Sequence, residues 1–150
     1  MSDYVPIGVF IGLVFLAAAS GAVFAPGEWY KSLSKPSWTP PDWAFPVAWT
    51  VLYIMIGTAG WLVWKAEGFQ LALLLWGVHL ITNAAWSYFM FGAKRIDFAM
   101  YDVTAMLVTM IAFMIMAWPV SSQATLLFVP YLAWVSFAAA LNWRIWQLNA

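Results

Sequence analysis

From Tyr4 to Phe24 the chain runs for a full membrane thickness without one Asp, Glu, Lys or Arg, and long apolar stretches of this kind make up most of its 150 residues. A hydrocarbon core about 30 Å thick takes roughly 20 helical residues to cross. In lipid every backbone N–H and C=O must be bonded internally, so only helices and closed barrels span it. A barrel would read as segments of about ten alternating residues. These runs are continuous, which selects helices. Charge agrees: 8% of residues are charged, against roughly 25% in a soluble domain. The expectation is an all-α membrane protein, one transmembrane domain over residues 1–150. It reads as a five-transmembrane-helix bundle, with spans at about 4–24, 41–64, 69–91, 96–118 and 124–148.

A long Pro- and Trp-containing loop separates helices 1 and 2, APGEWYKSLSKPSWTPP from Ala25 to Pro41. Plain linkers are Gly, Ser, Pro and charge. This one holds Trp29, Tyr30 and Trp38, so it is expected to fold back over the bundle, with EWYKSL forming a short amphipathic turn. Thr39, Pro40 and Asp42 have the spacing of a capping box and predict the start of helix 2 there. Pro130 predicts a kink in the last helix. The N-terminus lacks a basic flank, so the first segment reads as a retained helix rather than a leader.

Several functions are excluded. No Lys/Arg cluster could serve nucleic acid. With no Cys there is no thiolate nucleophile or Cys-ligated metal, and no nucleophile–base pairing is visible. No metal ligands and no obligatory cofactor are expected. Lys31, Lys35, Lys94, Arg95 and Arg144 fall on one side of a five-span topology and Lys65 on the other. The bias of Lys and Arg toward the inner face then puts the long loop and the C-terminus in the cytoplasm of a bacterial cell membrane.

Twelve tryptophans are too many for an interfacial belt alone. Trp61, Trp64, Trp118, Trp143 and Trp146 lie near span ends, where a belt would put them. Trp49, Trp76, Trp86 and Trp134 sit deeper. At helical spacing Trp49, Tyr53, Ile56 and Gly60 share a stripe, as do His79, Asn83, Trp86 and Met90, and Tyr131, Trp134, Ala138 and Asn142. Polar side chains within lipid face the bundle interior. The stripes therefore converge, either to pack helices or to line a cavity for a flat apolar ligand; spacing alone leaves both readings open. Gly8 with Gly12, and Gly77 with Ala84, are small-residue pairs suited to close helix contact.

The run WYKSLSKPSWTPPDWAFPVAWTVLY, the segment NAAWSYFMFG and the ending VPYLAWVSFAAALNWRIWQLN resemble the TspO/MBR family of tryptophan-rich sensory and translocator proteins, also called peripheral-type benzodiazepine receptors. That resemblance, spanning Pro26 to Asn149, implies five spans, a first loop over a pocket, and a homodimer, with the third span as its seam. It implies a ligand-binding membrane sensor of tetrapyrroles, protoporphyrin IX or haem. The alternatives are a light- and oxygen-dependent porphyrin-degrading enzyme and a tetrapyrrole or lipid transporter. Carried over by position, the pocket comprises Trp38, Trp49, Tyr53, Asn83, Trp86, Met90, Trp134 and Ala138, and Asp102 and Asn142 are structural polar residues. Asp102 is expected to accept hydrogen bonds from neighbouring helices. Two departures stand out. His79 occupies a position where relatives often carry Gln, and reads either as a haem ligand or as a hydrogen-bonded core residue. Trp143, beside Arg144, replaces the Tyr of the cholesterol motif, so membrane lipid is a partner but cholesterol is not expected.

Overall fold

The computed structural model describes residues 4–150, and among them every regular element is helical. The order is α1 Tyr4–Val23, α2 Glu28–Ser32, α3 Ala44–Glu67, α4 Leu71–Ser87 continued by a π turn Tyr88–Gly92, α5 Ile96–Ala117 and α6 Ser122–Asn149. Four of these, α1, α3, α5 and α6, are long and apolar enough to cross a membrane. The α4 segment has 17 residues before the π turn.

Helix α5 packs between α4 and α6, while α3 lies against α6 and α1 against α3 and α4. The core follows one face of each: Ile56, Ala59 and Val63 from α3, Trp76 and His79 from α4, Met106, Met110 and Phe113 from α5, and Phe128, Tyr131 and Val135 from α6. Large apolar side chains such as Phe15, Ile54, Ile81 and Ile115 point outward and stay more than 60% exposed, as lipid-facing positions should.

The start of α3 corrects the capping-box expectation. The Thr39 hydroxyl bonds back to Pro36 O at 2.7 Å, and the helix begins at Ala44 with no side-chain cap. Proline drives the residue before it out of the α region. Pro41 therefore disfavours helical backbone at Pro40, which works against a helix starting there. At its other end α3 extends three residues beyond the predicted limit. Gly68, at φ +70°, closes it by giving its N–H to Trp64 O at 2.8 Å, a backbone conformation that favours glycine. Helix α6 runs unbroken through Pro130.

One close approach joins α3 and α4. A Cβ on Gly60 would lie 2.6 Å from the Trp76 ring, so only glycine lets that indole lie flat on α3. Trp76 is 2% exposed, and its Nε1 donates to Ile56 O at 2.9 Å. Its depth in the span marks a packing residue rather than a belt or ligand tryptophan.

Candidate functional site

The segment between α1 and α3 is held down at several points. Lys35 Nζ donates to Tyr30 O at 2.7 Å and also sits over the Tyr30 ring, 4.4 Å from its centre. Burial, aided by Asp42, pushes the Tyr30 phenol above its ordinary range. Ser34 and Asn149 exchange two hydrogen bonds, Ser34 N to Oδ1 at 3.0 Å and Nδ2 to Ser34 O at 2.8 Å. The segment is thereby tied to the last turn of α6, and Trp38 reaches Phe137 of α6 edge-on at 5.6 Å.

Beneath it the predicted site residues fall into three groups. In the first, Trp38 and Trp134 both pack on Phe137, and Phe45 from the start of α3 meets Trp134 edge-on at 5.8 Å. Trp134 is half-buried, yet its Nε1 is sealed from solvent and has no acceptor among the described residues. Ala138, also half-buried, follows one turn later on α6. In the second, Trp49 leans on Tyr53 at 5.5 Å and on Tyr131 at 6.2 Å, and Tyr53 Oη donates to Asn83 Oδ1 at 2.9 Å. In the third, Trp86 Nε1 donates to Asn142 Oδ1 at 3.0 Å, and Asn142 Nδ2 to Ile96 O at 3.2 Å, which links α4, α6 and the start of α5.

Met90 lies in the π turn, within a cluster that Trp86 also packs against. The α register ends at Ser87, and the π turn carries Ala93 N to Tyr88 O at 2.7 Å. An extra residue in the turn rotates all that follows. Met90 packs with Ala99, Leu141 and Ile145 rather than with the cluster that holds Trp49 and Tyr53.

Asp102 departs from expectation. It is 9% exposed, and its Oδ2 has no hydrogen-bond partner among the described residues. The other buried residues nearby on α5, Ala99, Val103 and Met106, have apolar side chains. Arg95 and Asp97 pair at 2.7 Å at the solvated start of α5.

Sequence reasoning missed Tyr131 as a polar centre. Its hydroxyl receives Asn83 Nδ2 at 2.6 Å and meets His79 Nε2 at 2.8 Å. The signal was present in the shared stripe, where Tyr131 was counted only as an aromatic. Two cavities lie away from the predicted site residues. One of about 200 Å³ lies between α2 and the turn before α5, lined by Tyr30, Phe91 and Lys94 among others. An open groove of about 480 Å³ runs along the outer face of α3 and α6, between Met55, Leu62 and Leu126.

The TspO/MBR family model matches residues 10–147. The chain belongs to the TspO/MBR family. It is similar to Protein CrtK of Rhodobacter capsulatus, 40% identical over 137 residues that cover 89% of this chain and 86% of that one. It is 40% identical to the tryptophan-rich protein TspO of Chlorobaculum tepidum, over 93% of this chain and 92% of that one. Likeness extends to animals: the translocator protein of Bos taurus is 39% identical over 97% of this chain and 91% of its own. A TspO/MBR chain of this composition, with several apolar helices, is a membrane protein.

Proposed function

We propose that the protein is an integral membrane sensor that binds tetrapyrroles, protoporphyrin IX or haem, in an aromatic-lined pocket, and modulates porphyrin-linked metabolism or signalling. In this reading α4 and its π turn, 22 residues together from Leu71 to Gly92, act as a fifth span. The side richer in Lys and Arg, with the Pro-rich segment and the C-terminus, faces the cytoplasm.

One observation carries the ligand reading: the sealed Trp134 N–H with no acceptor, set among half-buried rings beneath the tied-down segment. A buried donor left unpaired costs about 1–3 kcal/mol. A flat guest with a carbonyl or carboxylate at its edge would remove that cost and stack on Trp38, Phe137 and Trp49. Aromatic pairs add about 0.5–1.5 kcal/mol each beyond area burial. The rings already touch one another, edge-on or tilted, so the guest enters by parting them, and the segment carrying Trp38 moves with it. Family membership supports the same chemistry. The dimer is proposed through α4, whose Leu74, Val78 and Ile81 are exposed. Ala84 is not part of that face, since its carbonyl accepts the Ser20 hydroxyl from α1.

The test follows absorbance and Trp fluorescence of the purified protein titrated with protoporphyrin IX, in the dark and in light. Saturable quenching with intact porphyrin recovered is expected. Loss of the porphyrin spectrum in light, abolished by Trp49→Phe or Trp134→Phe, replaces binding with turnover. Porphyrin accumulation in proteoliposomes revives transport. Absence of quenching at high micromolar porphyrin defeats the proposal.

A further inference from the structure

His79 is the one histidine of the chain, fully buried and outside every group of predicted ligand contacts. Its two ring nitrogens have different neighbours. Nδ1 faces Met106 O at 3.2 Å and Thr109 Oγ1 at 2.9 Å, and Nε2 faces the Tyr131 hydroxyl. A carbonyl oxygen only accepts, and the Thr109 hydroxyl already gives its hydrogen to Ala105 O at 2.8 Å. The Met106 carbonyl, which can only accept, favours the neutral ring with its proton on Nδ1 and Nε2 as acceptor.

The consequence runs across the bundle. Tyr131 must donate to Nε2, so its oxygen accepts from Asn83 Nδ2. The Asn83 amide is thereby oriented with Oδ1 toward α3, and Tyr53 must donate to it. Each member has one bond on either side, and reversing any one leaves a donor facing a donor. The order begins at a backbone carbonyl of α5 and ends on the hydroxyl of Tyr53, beside Trp49.

We infer that His79 is a positioning residue for the candidate site: by accepting from Tyr131 and donating to α5, it fixes which way the Tyr53 hydroxyl points. Tyr53 commits its hydrogen inward, and what it has left for a neighbouring molecule is its oxygen. Asn83 supports Tyr53, with Oδ1 and one amide hydrogen engaged.

The experiment uses full-length protein in detergent with ¹⁵N-histidine, where a lone histidine yields a single ring spectrum. The neutral Nδ1–H form is expected; an Nε2–H form overturns the inference. Tyr53→Phe removes the far end of the chain without touching His79, and the ring signals are expected to move; an unchanged spectrum overturns it. Protoporphyrin IX is expected to bind about tenfold more weakly to Tyr131→Phe and His79→Leu. His79→Gln, whose amide can accept from Tyr131 and donate to Met106 O, is expected to restore it to within about twofold. Equal loss in Gln and Leu makes the role mere packing and overturns it. The binding arm rests on the tetrapyrrole reading and the nitrogen arm does not. If no variant quenches while the ring responds to Tyr53→Phe, the ligand reading fails and the positioning role stands.

Discussion

The interior between α4, α5 and α6 and the aromatic group beneath the Pro-rich segment are built from similar residue types and treat their polar atoms in opposite ways. Along the line from Tyr53 through Asn83 and Tyr131 to His79 each polar atom has a partner, although Asp102 Oδ2, one turn before Met106 on α5, has none. Around Trp134 the half-buried rings of Phe45, edge-on, and Phe137, tilted, leave an indole N–H unused. A saturated network in a low-dielectric interior rigidifies, because each bond lost exposes a buried polar group to its full cost. An unsaturated one has less to lose on moving. Under the proposed function, the His79 region supports the pocket from within and the Trp134 region is where a guest would displace packed rings.

That contrast can be broken by mutation. The largest effect is expected on the scaffold side from Trp76→Ala, which empties the contact over Gly60 and leaves Ile56 O without its indole donor; thermal unfolding in detergent should register a loss of about 3–5 kcal/mol. Tyr131→Phe keeps the ring and unpairs His79 and Asn83, and the same assay should show about 1–2 kcal/mol. Trp134→Phe removes a donor that bonds to nothing. Its stability should stay within about 0.5 kcal/mol of the parent, while protoporphyrin quenching weakens about fivefold. A stability loss as large as that of Tyr131→Phe would erase the distinction between the two regions. The smallest change is expected from Asn149→Ala, which unties Ser34 from α6. It should cost under about 1 kcal/mol and show mainly as faster proteolysis between Leu33 and Trp43.

Much of this was legible in residue order. Span positions came from apolar run length, which depends only on the thickness of lipid, and lie within three residues of the observed helices at most ends. Family membership came from three motifs. The errors arose where a local rule met a neighbour it does not include. Thr39, Pro40 and Asp42 satisfy a capping pattern, and Pro41 works against it. Asp102 looked like an acceptor for neighbouring helices, but its Oδ2 has no partner among the described residues.

By itself the sequence determined that the chain is helical, lives in lipid and turns the polar faces of its spans inward, because an unbonded peptide or an exposed charge in hydrocarbon costs more than any alternative returns. Which polar atoms then meet was decided only by tertiary structure. His79 and Tyr131 are 52 residues apart, and whether they share a proton depends on how α4 and α6 are rotated against each other. Rotation is set by packing contacts such as Trp76 on Gly60, and periodicity along one helix carries no information about it.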